Sequence, residues 1–161
     1  MAARRARYDR HDEAVTFVTA ALRARRCRVR IHLGDDKRRR GVTLDVWPPG
    51  ATAPLAIAVR AATPRPQHHR IRQGARRYEY EIVELHWNLH AHGARHCQPD
   101  VWVLVRLDDK PASLVLPNRA LAPTLRAVQL IANPRRGGWS RLRGYAGRWE
   151  LITQPAAQAA A

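Results

Sequence analysis

Apolar and polar positions recur along this chain with periods that change from segment to segment. Over residues 10–26, Ala14, Val18, Ala21 and Leu22 return at helical spacing, with arginine on the opposite face. Asp9 is placed to cap this helix, and Asp12 follows three residues on. The period then falls to two. RVRIHL (28–33) alternates basic with apolar as a half-buried strand does, GDDKRRRG (34–41) reads as a charged turn, and VTLDVW (42–47) completes a hairpin. PPGATAP (48–54) is a second turn and LAIAVRA (55–61) a third strand, so the chain opens helix, strand, strand, strand.

A basic, histidine-containing connection follows, and then YEYEIVEL (78–85) alternates again and runs into HWNL. DVWVLVRL (100–107) is apolar enough to be a buried strand, LDDKPA turns the chain, and SLVLP (113–117) is a sixth strand. A proline-initiated helix is expected from about 123 to 132, stopped by Asn133-Pro134. GYAGRWELI suggests a last short helix packed through Trp149 and Leu151. There is no internal repeat and no heptad pattern. The sum is an α/β fold with a mixed central sheet flanked by helices. It forms one domain over residues 10–152, with a basic N-terminal arm at 1–9 and a disordered tail at 153–161.

Composition narrows the partners. With 161 residues of which 45% are hydrophobic, the chain supports one core rather than two. The charged N-terminus lacks the apolar run of a signal peptide, and no stretch approaches the length of a membrane span, so a cytoplasmic protein with no membrane partner is expected. Cys27 and Cys97 are too few and too far apart for a disulfide framework. A net charge of +16 favours a polyanion, and nucleic acid is the first candidate. Lys37 and Lys110 are the only lysines, so the basicity is carried by arginine. Its excess lies in the first half and the C-terminal portion, and the glutamate-rich segment 78–111 interrupts it.

Candidate contacts to nucleic acid are Arg38, Arg39 and Arg40 in the charged turn, and Arg65, Arg70 and Arg72 in the basic connection. Arg135, Arg136, Arg141 and Arg143 add to these around Trp139, an aromatic between flexible glycines that is placed to stack on bases. The other tryptophans fall on core positions. His86, His90, His92, His96 and Cys97 are residue types that bind zinc, but Ala94 and Arg95 break the metallo-hydrolase spacing, so the segment reads as a polar loop. His68-His69 reads as a phosphate-facing loop. Gly-rich phosphate cradles, serine nucleophile elbows and paired CxxC motifs are missing from the sequence.

One ordered set of short elements remains: Asp45 within a hairpin, then AVRAAT (58–63), Trp87-Asn88-Leu89, VWVLVRL, Val115-Leu116-Pro117 and Gly147-Arg148-Trp149. In this order they resemble the PD-(D/E)XK nuclease superfamily, of restriction-endonuclease-like or tRNA-endonuclease-like fold, over residues 10–152. The resemblance implies a DNA endonuclease centre in which two acidic or amide oxygens hold Mg²⁺ and a lysine orients water. Asp45 carries over as the first metal ligand. Arg60 stands at the lysine position, and Ala58 stands where Glu or Gln is called for.

A guanidinium accepts no proton near neutral pH, and alanine offers a metal no oxygen. Three readings stay open. The first is a nucleic-acid-binding domain, with duplex DNA as ligand, whose nuclease centre is degenerate and whose Asp45 is a solvated strand residue or the ion-pair partner of Arg60. The second is an active Mg²⁺-dependent endonuclease that combines Asp45 with a displaced carboxylate, Glu13 or one of Glu79, Glu81 and Glu84. The third is a basic protein-interaction domain of a larger complex. Strand periodicity places Asp45 and position 58 towards one edge, so Ala58→Glu with Arg60→Lys is the shortest expected route back to a metal site. The oligomeric state is open, a homodimer included.

Overall fold

A helix, α1 (Ala2–Arg23), starts the chain in the computed structural model, which describes residues 2–33, 42–89, 99–121, 127–132 and 142–154. The expected cap Asp9 and residues 2–9 of the expected N-terminal arm thus lie within the helix. α1 ends in a tight reversal. The Cys27 N–H donates to Leu22 O at 3.1 Å and the Arg26 N–H to Arg23 O at 2.9 Å, while Arg26 takes φ 62. This bonding pattern stops a helix and redirects the chain, here at the cost of holding an arginine where glycine is favoured.

Five strands follow in one sheet: β1 (Arg28–Ile31), β2 (Leu44–Trp47), β3 (Leu55–Ala62), β6 (Val101–Arg106) and β7 (Ala112–Pro117), in the spatial order β1-β2-β3-β6-β7. All neighbours are antiparallel except β3 and β6, which are parallel, so the central sheet is mixed as expected. The connection between those two strands contributes β4 (Arg65–Gln73) and β5 (Arg76–Asn88), which with β8 (Ala127–Ala132) make a second, antiparallel sheet in the order β4-β5-β8. A short α2 (Glu150–Thr153) closes the described fold.

Alternation along the central strands divides the core in two. Leu44, Val46, Ile57, Val59, Val103 and Val105 face α1 through Ala14, Val15, Val18 and Leu22, and Trp149 and Ile152 join them from the C-terminal end. Ala58, Trp102, Leu104 and Leu116 face the other way and pack against Leu85, Trp87 and Leu89 of the β5 segment and Val128 of β8. Residues 101–105 are buried on both sides, as their unbroken apolar run predicts.

Two expectations are corrected. The basic connection before residue 78 is a strand, because RPQHHRIRQ pairs along its whole length with β5 despite having almost no apolar face. The helix expected at 123–132 is strand β8 over Ala127–Ala132. Residues 83–88 of β5 offer a free edge to this segment, and that pairing overrides the helical preference of its alanines, leucine and glutamine. Residues 122–126 lie outside the described residues. The final short helix and its packing through Trp149 and Leu151 agree with expectation.

Candidate nucleic-acid interface

The register of the first hairpin determines the surroundings of Asp45. Arg30 lies directly opposite Asp45 and Arg28 opposite Trp47. Cross-strand partners share a face, so Arg28, Arg30, Asp45 and Trp47 stand together on the side away from α1, and His32 comes two residues after Arg30. Arg30 Nη2 donates to Asp45 Oδ2, and His32 Nε2 lies 3.0 Å from the same oxygen. Arg28 Cζ sits 4.3 Å from the Trp47 ring centroid and Arg30 Cζ 5.9 Å from it, so one ring carries two cations. Asp45 is buried, whereas the Arg30 side chain keeps 61% of its surface exposed. Burial alone pushes the Asp45 carboxyl up, but the hydrogen bonds from His32 and Arg30 outweigh it and hold the pKa below the ordinary aspartate value.

Arg60 belongs to a different constellation. Its Nε donates to Asn88 O at 3.1 Å and its Nη1 to Val59 O at 2.8 Å, and its Cζ lies 5.1 Å from the Trp102 centroid. Trp102 is itself held by a 3.0 Å bond from Nε1 to Asn118 Oδ1. Arg60 thus clamps the end of β5 onto the central sheet. The alternative of an Asp45–Arg60 ion pair gives way to Asp45 with Arg30 and His32, because the β1–β2 register puts those two groups nearer.

Ala58 has no exposed surface and sits in the second core with Leu85, Trp87 and Trp102. The residue across from Asp45 is Ala56. Position 58 is therefore sealed beneath the second sheet rather than open at an edge.

The expected substitutes for the missing acid are dispersed. Glu13 is exposed on α1, which covers the face opposite Asp45. Glu79 pairs with Arg70 at 2.7 Å, and Glu84 accepts from Gln67. The Glu81 side chain lies outside the described residues. Among the described residues no three His, Cys, Asp or Glu side chains gather as a metal-holding group. A magnesium centre does not fit these residues: one carboxylate is committed to a guanidinium and an imidazole, the second ligand position is alanine, and the lysine position holds a cation that accepts no proton.

Of the expected phosphate contacts, Arg65, Arg70 and Arg72 are exposed along β4, and Arg143 is exposed in a 3₁₀ turn, Arg143–Tyr145. Arg38, Arg39, Arg40, Arg135, Arg136, Trp139 and Arg141 lie outside the described residues, as do His90, His92, His96 and Cys97. Sequence reasoning did not connect Arg28, Arg30, His32 and Trp47 with Asp45. The signal was the period-two placement of Arg28, Arg30 and His32 on one face of RVRIHL.

No protein-family model and no curated protein matches this chain. Among solved structures its fold is similar to that of a bacterial homing endonuclease, I-Ssp6803I, at a TM-score of 0.61 and 19% identity, with 94% of each chain covered. The likeness shows an α/β fold shared with that protein. No described helix is long and apolar enough to cross a membrane.

Proposed function

We propose that this protein binds nucleic acid, with duplex DNA as ligand, through a nuclease-like domain of PD-(D/E)XK type whose centre has become an anion-facing surface. The observation that carries the reading is the double capping of Asp45 by Arg30 and His32. A carboxylate that would attract a divalent metal is neutralised from within, and the exposed Arg28 and Arg30 are left beside Trp47. The +16 charge and the fold shared with an endonuclease support the same reading. Arginine presents a planar fork suited to phosphate, and a ring held beneath two guanidinia keeps them in place.

The test is fluorescence anisotropy on a short random-sequence DNA duplex across a salt series. Affinity is expected to fall with salt by a slope of roughly −0.9 per phosphate neutralised. Replacing Arg28 and Arg30 by alanine removes about two phosphate contacts and should lower that slope by about 2, weakening all sequences alike. Binding that ignores salt, or is absent at about 50 mM salt, overturns the reading. Cleavage with Mg²⁺ or Mn²⁺ that is lost on Asp45→Ala would instead establish an active endonuclease.

A further inference from the structure

β4 and β5 pair without interruption from Arg65↔Glu84 to Gln73↔Arg76, but β8 joins β5 only between Val83 and Asn88. The far part of the pair is therefore a two-stranded ribbon among the described residues. Every described side chain from Arg65 to Glu79 is exposed, Tyr78 to 45%. Such a hairpin is only marginally stable on its own. Gly74 takes φ 62 at the first central position of its turn, where a type II′ turn requires a positive φ.

The charges at the tip add to the cost of the ribbon. The stretch RIRQGARRY (70–78) holds four arginines and no acid. Arg72 lies directly across from Arg77, a like-charge cross-strand pair that destabilises the ribbon. Arg70 is offset by Glu79, but both are more than two-thirds exposed, and such a pair contributes little. Arg72 Nε reaches back to Gly74 O at 3.3 Å, while Arg76 and Arg77 are exposed at the start of the returning strand. The repulsion is relieved by a polyanion.

Size then selects the groove. One sheet layer with its side chains is about 10 Å thick, which suits the roughly 12 Å width of the B-DNA major groove and exceeds the roughly 6 Å of the minor groove. The seven or so residues beyond Val83 reach about 23 Å at ~3.3 Å each, farther than the groove's depth of about 8.5 Å. The tip can therefore meet base edges while the proximal ribbon passes the phosphates.

Resting on the DNA-binding reading above, we infer that the β4–β5 ribbon enters the major groove of duplex DNA, with Arg72, Arg76 and Arg77 meeting base edges. Guanine, which presents O6 and N7 acceptors there, is the preferred base. The deep, narrow major groove of duplex RNA does not admit the ribbon.

The experiment compares three proteins: wild type, the triple variant Arg72→Ala, Arg76→Ala, Arg77→Ala, and a chain with residues 71–78 replaced by Asn-Gly so that Arg70 and Glu79 still pair across the new turn. Each is titrated by anisotropy against a random-sequence duplex, the same duplex with every cytosine carried as glucosylated 5-hydroxymethylcytosine, and duplex RNA of the same sequence. Glucose fills the major groove and leaves the phosphates unchanged. Wild type is expected to bind the glucosylated duplex and the RNA at least about tenfold more weakly than plain DNA, and to protect guanine N7 from dimethyl sulfate. Both variants are expected to keep salt-dependent binding to plain DNA and to lose the discrimination. Equal wild-type affinity for plain and glucosylated DNA, equal affinity for RNA, or discrimination that survives in the variants overturns the inference and leaves the DNA-binding reading standing. Failure of wild type to bind plain DNA at low salt is the separate result that removes both.

Discussion

Ala58→Glu with Arg60→Lys, which would complete the nuclease motif that the sequence resembles, is expected to unfold the domain rather than confer cleavage. Ala58 has no exposed surface and is packed with Trp87, Trp102, Leu85 and Leu104. Adding a carboxymethyl group there overpacks the core by about 1–3 kcal/mol, and an unpaired buried carboxylate adds several kcal/mol more. Replacing Arg60 removes its bond to Asn88 O and its stacking on Trp102, worth roughly 1–2 kcal/mol together. The sum approaches the whole stability of a domain, about 5–15 kcal/mol, and a loss of ~5 kcal/mol lowers Tm by 10 °C or more in a chain of this size. Circular dichroism melting of each single variant and the pair measures it, with plasmid nicking in Mg²⁺ or Mn²⁺ as the activity assay. Ala56→Glu is the control: Ala56 is half-buried and faces Asp45 across the strands, so it should be tolerated far better. An Ala58→Glu protein that melts within a degree or two of wild type and, combined with Arg60→Lys, cuts DNA with metal would refute this.

Two further outcomes follow from individual groups. Because the Asp45 pKa is lower folded than unfolded, its contribution to stability is complete above the ordinary carboxylate value of about 3.9 and is lost as pH falls through the folded value. Asp45→Asn should therefore be less stable at neutral pH by about 1–2 kcal/mol, a figure reduced by the exposure of Arg30, and the gap should close in acid. A gap that stays constant on acidification would rule this out. Cys27 is buried and unpaired, and burial pushes its thiol pKa up against the opposing effect of Arg25. In a Cys97→Ser background, thiol reagents should label it only as fast as the protein opens, and rapid stoichiometric labelling of the native state would contradict that.

Apolar periodicity made the central sheet legible, because β2, β3, β6 and β7 each bury at least one face. It could not reveal β4, whose described side chains are exposed and whose strand conformation comes from pairing with β5. The same limit explains β8, where six residues of mixed preference adopt the conformation their neighbour's free edge requires. Asp45 was identified as the notable acid from its place in VTLDVW, and its partners were not. A charged segment as long as 34–41 between two strands leaves a hairpin's register open in the sequence, and a shift of one residue would have turned Arg30 to the other face.

The alanine at position 58 and the second sheet are one structural fact rather than two. A metal-binding carboxylate needs water and an open edge, because ligand exchange and substrate phosphate must both reach it. Here β5 lies across β3, brings Trp87 and Leu85 over Ala58, and is fastened at its end by Arg60 to Asn88 O. The small apolar side chain at 58 fits beneath that closure, and the guanidinium of Arg60 reaches the β5 carbonyl while lying over Trp102. With that position closed, Asp45 has no second oxygen ligand, and the nearest groups able to satisfy a buried carboxylate are Arg30 and His32 across the hairpin. The consequence is electrostatic: with Arg28 and Arg30 beside one carboxylate the cluster is positive, where a second carboxylate would leave it neutral, and under the DNA-binding reading proposed above that charge suits a phosphate.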